Sequence, residues 1–278
     1  MRYVVFGGAG FIGSHMTDYL VSKGHEVTVV DNLLSGYLDN VNPHAKFVAA
    51  DIRNLNAILP LVQGADGVFN YAAIARTPWC IEDPILCHET NVTGTLNILE
   101  ACRQKGVKRV VLSSSNVVYA FATPYRASKL MDELYAEVYD KMYGQSVICL
   151  RYSNVYGPRQ SEEGPSPNVF AALRKSKKEK GKLIITGDGE QSRDYTHVSD
   201  IVRGGLAAME SDYRGVIDLC TGRNVSLNLV AKFFDCPIEY IEERPGDVKH
   251  ITQDPKPAFD ILGWKYQMEI EDGIKDVL

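Results

Sequence analysis

Tyr3-Val4-Val5-Phe6-Gly7-Gly8-Ala9-Gly10-Phe11-Ile12-Gly13 is the stretch that decides how this chain folds. Its apolar start reads as a buried strand, its glycines as a tight turn, and Phe11–Lys23 as an amphipathic helix. Gly8, Gly10 and Gly13 satisfy a G-x-G-x-x-G spacing, and Gly7, Gly10 and Gly13 a G-x-x-G-x-x-G spacing. Such a turn lets backbone approach a pyrophosphate, which then meets the free N–H groups and partial positive charge of the helix start. Asp31 stands 18 residues beyond Gly13, at the end of the next apolar run. A carboxylate there can accept hydrogen bonds from ribose hydroxyls and would repel a 2′-phosphate, which favours NAD over NADP. Asp51-Ile52, after the third run, is a plausible adenine contact, with a helix N-cap as the competing role for Asp51.

The pattern repeats outward. Val27–Val30, Lys46–Ala50, Gly67–Asn70, Arg109–Leu112 and Val147–Leu150 read as buried strands, alternating with helical segments such as Asn91–Lys105. Apolar strands separated by helices imply a doubly wound α/β fold, a parallel sheet covered on both faces. Beyond Arg151 the texture becomes loop-rich. A helix over Val169–Lys178, a strand at Leu183–Ile185, a helix over Val198–Met209 and a strand at Val216–Leu219 imply a smaller C-terminal α/β part.

Composition narrows the function classes. The 278 residues are 45% hydrophobic and 23% charged, which suits a globular chain of one large domain or two coupled ones. A net charge of −5 disfavours nucleic acid as the main partner, and no run approaches the ~18 apolar residues of a membrane span. The basic cluster Arg174, Lys175, Lys177, Lys178, Lys180 and Lys182 reads as a solvated helix end. The six cysteines (Cys80, Cys87, Cys102, Cys149, Cys220 and Cys236) form no C-x-x-C pair. They read as reduced, mostly buried thiols of a cytoplasmic protein, with no metal site.

Tyr125-Arg126-Ala127-Ser128-Lys129 sets a phenol and an ammonium four apart, on one face of a helix. A cation nearby favours phenolate, so the tyrosine is expected to titrate below its usual ~10 and to take a proton from an alcohol. Ser113-Ser114-Ser115 ends the preceding strand, the side of an open sheet where ligands bind. Along the same helix Leu130, Leu134, Val138 and Met142 form an apolar stripe, and Tyr135, Tyr139 and Tyr143 a second one suited to packing or a helix–helix interface.

Taken together, GGAGFIG, Asp31-Asn32, Asp51-Ile52, Asn91-Val92-Thr93-Gly94-Thr95, the run from Ser113 to Tyr119 and the Tyr125/Lys129 pair resemble the extended short-chain dehydrogenase/reductase family. Arg151 to Arg159, Gly187 to Tyr195 and Arg244-Pro245-Gly246-Asp247 continue the likeness, whose nearest branch is the nucleotide-sugar 4-epimerases. The resemblance implies a Rossmann-like domain over residues 1–152, with 195–220 returning to it, and a substrate domain over 153–194 and 221–278. It implies NAD held by Gly7, Gly10, Phe11, Ile12, Gly13, Asp31, Asn32, Ser35, Gly36, Asp51, Ile52, Ala72, Ala73, Asn91, Ser113, Tyr125, Lys129 and Val155. Ser115, Tyr125 and Lys129 would be catalytic. Ser115, Asn154, Asn168, Arg193, Tyr195, Arg244 and Asp247 would bind a UDP-sugar, the arginine forks suiting phosphate oxygens.

The implied reaction is inversion at C4 of a UDP-hexose, glucose/galactose or an N-acetyl form, through a transient 4-keto sugar. A homodimer built through the Asn91–Lys105 and Tyr125–Tyr143 helices is also implied. Other reactions of the family (a different epimerisation or keto-sugar reduction) and a non-catalytic NAD sensor are the alternatives. Dehydration is disfavoured, because Asn116-Val117 stand where the family's dehydratases carry an acidic pair. Four positions depart from the family pattern. Only Ala120–Pro124 separate Tyr119 from Tyr125, the fourth strand ends Asn70-Tyr71-Ala72-Ala73, Cys80 replaces a usual serine, and Ile251 is intermediate where size selects for N-acetyl groups.

Overall fold

Tyr3 and Val5 point to one side of their strand and Val4 and Phe6 to the other, and all four are buried, so the first strand sits inside a sheet covered twice. The computed structural model describes residues 1–160, 168–243 and 249–278. Its strands are β1 (Arg2–Phe6), β2 (Glu26–Asp31), β3 (Lys46–Ala49), β4 (Gly67–Asn70), β5 (Arg109–Ser115) and β6 (Ser146–Tyr152). They continue as β7 (Asn154–Tyr156), β8 (Leu183–Thr186), β9 (Ser192–His197), β10 (Gly215–Leu219), β11 (Asn224–Ser226) and β12 (Ile238–Ile241). The main helices begin with α1 (Phe11–Ser22), α2 (Leu55–Ile58), α3 (Thr77–Glu82) and α4 (Pro84–His88). After them come α5 (Gly94–Lys105), α6 (Pro124–Tyr143), α7 (Val169–Lys180) and α8 (Val198–Glu210).

Seven strands pair in parallel in the order β10-β6-β5-β4-β1-β2-β3. The order reverses between β1 and β4, and a crevice opens there outside the carboxyl ends of the strands. Met16 and Leu20 of α1 join Ile201, Val202 and Leu206 of α8 on one face. On the other, Ile98 and Leu99 of α5 meet Ala136 and Tyr139 of α6. Each fully buried aliphatic or Phe side chain contributes roughly 1.5–3 kcal/mol, so two apolar faces hold the sheet without help from its edges. Arg109 adds a polar staple. Buried at the start of β5, it donates to Ser146 Oγ (2.6 Å), Ala208 O (2.8 Å) and Tyr213 O (2.6 Å), fixing the end of α8 against the sheet. Burial pushes its guanidinium down to about 10.

In the second half β9 pairs parallel with β7 and antiparallel with β11, while β8 and β12 form a parallel pair. Tyr156, Phe170, Leu183, Ile185, Tyr195 and Val230 make its core. The basic run ends α7, where Gly181 closes the helix at φ +64°.

Two expectations need correction, and one question the spacing leaves open is answered. The helix expected from Asn91 begins instead with a π turn over Glu89–Thr93, which turns the Asn91 side chain inward. The direction of the α6 stripe, which the spacing leaves open, is outward at its far end: Leu134, Val138 and Met142 are 59%, 42% and 72% exposed, while α6 buries Ser128, Lys129, Asp132 and Glu133. The second correction is that Cys80 and Cys87 are not free thiols. Consecutive short helices α3 and α4 fold back on each other, bring the two Cα atoms to 5.1 Å, and the pair is disulfide-bonded. Cys102, Cys149, Cys220 and Cys236 stay free. Alkylation of the denatured, unreduced protein should therefore label four cysteines, and all six after reduction; six before reduction would remove the bridge.

Candidate active site

Glycine is obligatory on the floor of the crevice. Gly7 lies at φ +72°, and a Cβ there would sit 2.5 Å from Ala72 N; one on Gly13 would sit 2.2 Å from Gly7 O. The turn thus packs backbone on backbone and aims the start of α1 into the opening. The first intrahelical bond there is Ser14 N to Gly10 O, at 3.1 Å. The crevice is lined by Gly7, Gly10, Asp31, Asn32, Ser35, Gly36, Ile52, Ala72 and Ala73, all anticipated from sequence. Val30, Leu34, Ala50, Tyr71, Ile74 and Thr90 complete the lining. Apart from Tyr71, which lies in the Asn70-Tyr71-Ala72-Ala73 segment, no short motif marks them; they arrive through sheet register and loop course.

Asp31 ends β2 nearly buried, with Oδ2 accepting from Ala9 N (3.0 Å) and Oδ1 from Leu33 N (2.8 Å). Burial raises its carboxyl, and these backbone bonds pull part of the way back. Asp51 turns aside to Arg53 and Asn32, and the Arg53 guanidinium holds it at about 2; Ile52, not Asp51, faces the opening. On the far wall the buried Thr90 hydroxyl has no partner. A glycine cradle, a helix start, a carboxylate and an orphaned hydroxyl around one elongated opening fit a dinucleotide.

The reacting end is built from β5 and α6. Ser115 closes β5, and its Oγ accepts from Val117 N (3.2 Å) as a short 3₁₀ turn begins. Thr123 then caps α6, its Oγ1 accepting from Arg126 N (3.1 Å), and Pro124 opens the helix. The five-residue connection is closed by the residues best suited to starting a helix. Tyr125 lies on the first turn. Its ring packs on Ile74, Cys80 and Cys87, and its hydroxyl has no hydrogen bond among the described residues.

Lys129, one turn on, is 3% exposed and donates to Ser113 O (2.9 Å) and Asp132 Oδ2 (3.0 Å). Burial, the largest single influence, would lower its pKa, but the Asp132 carboxylate together with Tyr125 and Cys149 more than offsets this and the net shift is upward. Asp132 is itself pushed up to about 6, because burial outweighs the pull of Lys129. The ammonium beside the phenol is thus part of an ion pair and not an isolated charge. Both Lys129 and Arg76 interact electrostatically with Tyr125.

Asn91 reaches neither the phenol nor the crevice lining. Its Oδ1 accepts from Ile74 N (2.8 Å), and its amide donates to Ile74 O (3.1 Å) and Ser128 Oγ (2.9 Å). It pins the β4 loop to α6. Val155 lies in β7, packed toward the first core.

A charged lattice missed in the sequence supports this end. Ser114, Arg151 and Asp218 stand side by side on β5, β6 and β10. Glu133 accepts from Ser114 Oγ (2.6 Å) and from Arg151 (2.7 and 2.8 Å), and Arg151 donates to Tyr119 Oη (2.7 Å). Only the position of Glu133, four residues past Lys129, hinted at it.

On the substrate side, Asn168 caps α7 through Oδ1 while its buried amide nitrogen has no partner, and Asn154 opens β7 beside Tyr195. Arg193 on β9 donates to Ser192 O and Lys249 O. Tyr195 is only 7% exposed and packs against Phe170 and Tyr156, which makes it core and leaves little of it to a ligand. Arg244 and Asp247 lie outside the described residues. Among the described residues no helix is long and apolar enough to cross a membrane.

Comparison with known proteins agrees with this geometry. The family model of the NAD dependent epimerase/dehydratase family matches residues 3–219. A putative UDP-glucose 4-epimerase of Methanocaldococcus jannaschii is 34% identical over 99% of this chain and 96% of its own length. A UDP-glucuronate 4-epimerase of Thermodesulfobacterium geofontis is 32% identical over 98% and 94%. The crystal structure of a UDP-glucose 4-epimerase with UDP-glucose from Thermotoga maritima superposes with a TM-score of 0.95 at 34% identity, covering 100% of this chain and 97% of that one. With a parallel sheet and a glycine cradle at the point where its strand order reverses, the chain belongs to the NAD dependent epimerase/dehydratase family, an extended short-chain dehydrogenase/reductase with NAD as its cofactor.

Proposed function

We propose that the chain interconverts the C4 epimers of a UDP-hexose. The observation that carries this reading is the placement of Tyr125. Its ring packs on Ile74, which lines the far end of the cofactor crevice, and its hydroxyl is not engaged by any described residue. A phenol so placed can accept the proton of a sugar hydroxyl. Bound NAD supplies a hydride acceptor and donor.

Ser115 Oγ accepts from Val117 N, which leaves its own proton to donate to the reacting oxygen. Lys129 keeps the first two turns of α6 seated on the end of β5. Asn168 offers an unpaired buried amide to the diphosphate, and Asn154, Arg193, Arg244 and Asp247 complete the nucleotide anchors. Firm anchoring at the diphosphate with few contacts to the sugar is what inversion demands, since the ring must present both faces to the same phenol.

The exposed α6 stripe motivates a second part of the proposal, a homodimer in which Leu134, Val138 and Met142 pack against their counterparts. A contiguous apolar face on a polar surface marks an association site.

Incubation with UDP-galactose, UDP-N-acetylgalactosamine or UDP-glucuronate, without added reductant, should yield the C4 epimer of at least one. Turnover of none, with reduction of a 4-keto sugar by added NADH, would make the protein a reductase. Tyr125→Phe should lower turnover by about 10²-fold or more with bound NAD unchanged, and full activity would end the role given to the phenol. In sedimentation experiments Leu134→Glu with Val138→Glu should run as a monomer beside a dimeric parent; a monomeric parent would remove the interface.

Asp132 gives a pH test. The unfolded chain releases this proton near about 4 and the folded one at about 6. Between those values the native state holds the extra proton, so this carboxyl makes stability fall as pH rises. Asp132→Asn should flatten that part of the Tm profile, and an unchanged slope would locate the titration elsewhere.

A further inference from the structure

Arg76 is a half-buried cation with no counter-ion among the described residues. Arg109, Arg151 and Arg203 are each tied to carbonyls or carboxylates, whereas the Arg76 guanidinium has no hydrogen bond or ion pair among the described residues. Burial lowers its pKa, and the Tyr125 phenol raises it in part. Its nitrogens are not among the buried unpartnered atoms, so they still reach solvent, and a half-buried guanidinium without a protein partner is open to an anionic group of a ligand.

Its position is well fixed. Arg76 is the residue from which α3 starts, and its carbonyl accepts from Cys80 N at 3.0 Å. Two residues earlier Ile74 is clamped on both backbone groups by Asn91, and four residues later Cys80 is bonded to Cys87. The loop that carries the guanidinium is therefore held at both ends against the surface on which the Tyr125 ring packs.

We infer that Arg76 reads the exocyclic C6 position of the sugar, and that the sugar carries a carboxylate there, which makes the substrate class a UDP-hexuronate. In a hexose C4 is bonded to C5, and C5 carries C6, so a sugar whose C4 hydroxyl lies at the phenol holds its C6 group within the same few ångströms. A C6 carboxylate would give the guanidinium a bidentate partner, whereas the hydroxymethyl group of a neutral hexose offers a single uncharged oxygen. One relative of similar identity over nearly the full length is a UDP-glucuronate 4-epimerase.

This inference rests on the proposed reading for the placement of C4 at Tyr125, and binding can be measured apart from turnover. Titration calorimetry of the NAD-loaded protein with UDP-glucuronate and with UDP-glucose should show the uronate binding about 10-fold or more tightly, as expected of a charge-assisted hydrogen-bonded pair. Arg76→Ala and the longer Arg76→Met, each checked for bound NAD and for Tm, should reduce that ratio of affinities to near one. Any influence of Arg76 on Tyr125 itself acts on both sugars alike and cancels in the ratio. Equal affinities in the parent, or a ratio that survives both substitutions, would overturn the inference. A uronate preference that depends on Arg76 without any C4 epimer formed would uphold it and reject the proposed reaction instead.

Discussion

A buried ammonium is the constraint around which the reacting end is organised. Taking Lys129 out of water costs several kcal/mol unless the charge is paired and hydrogen-bonded, and at 3% exposure it is satisfied by one carbonyl and one carboxylate. Ser113 O belongs to the last residues of β5 and Asp132 to the lysine's own helix, so the contact locks the start of α6 to the carboxyl end of β5. Tyr125, one turn before Lys129, takes its position from that lock. Glu133, the residue after Asp132, extends it directly to Ser114 and through Arg151 to Tyr119. Removing the carboxylate alone would leave an unpaired charge, the costlier half of a buried pair to keep.

Sheet topology supplies the other half of the site. Because the strand order reverses between β1 and β4, the loops after those strands diverge, and the opening they leave receives the glycine turn from one side and Tyr71 to Ile74 from the other. The cofactor crevice and the phenol are thus joined through one short loop. Its far part is held by Asn91 from a π turn and by the Cys80–Cys87 bridge. The cofactor crevice and the placement of the Tyr125 phenol are set by the same few backbone atoms, which accounts for the many polar contacts of a loop that contributes little core.

Much of this was legible because it is periodic or sterically strict. Buried parallel strands announce themselves as apolar runs, and Gly7 and Gly13 occupy positions where any Cβ collides with backbone. The remainder depends on contacts that no local pattern encodes. Asp132 reads as a solvated helix residue until Lys129 is seen to be buried beside it. Cys80 and Cys87 look like isolated thiols until two short helices fold back. Arg76 carries no motif, and its meaning comes only from what it fails to touch. The apolar stripe of α6 was visible, but its direction was not, since the spacing of Leu134, Val138 and Met142 suits a core face as well as an exposed one.

That direction follows from the charges on the same helix. A 20-residue α6 cannot turn its leucine stripe inward without exposing the Lys129–Asp132 pair and breaking the Glu133–Arg151 link, because the stripes are separated by one or two positions and rotate together. The polar face is held by specific partners on β5 and β6, whereas the apolar face needs only to leave water. Non-directional burial yields to directional pairing here, and the apolar face is left for another surface to cover. The same helix that seats the phenol therefore presents an exposed apolar stripe. In the proposed dimer, association there would stiffen α6 from outside while the ion pair holds it from within, so that the proposed subunit contact and the proposed proton transfer would share a single structural element.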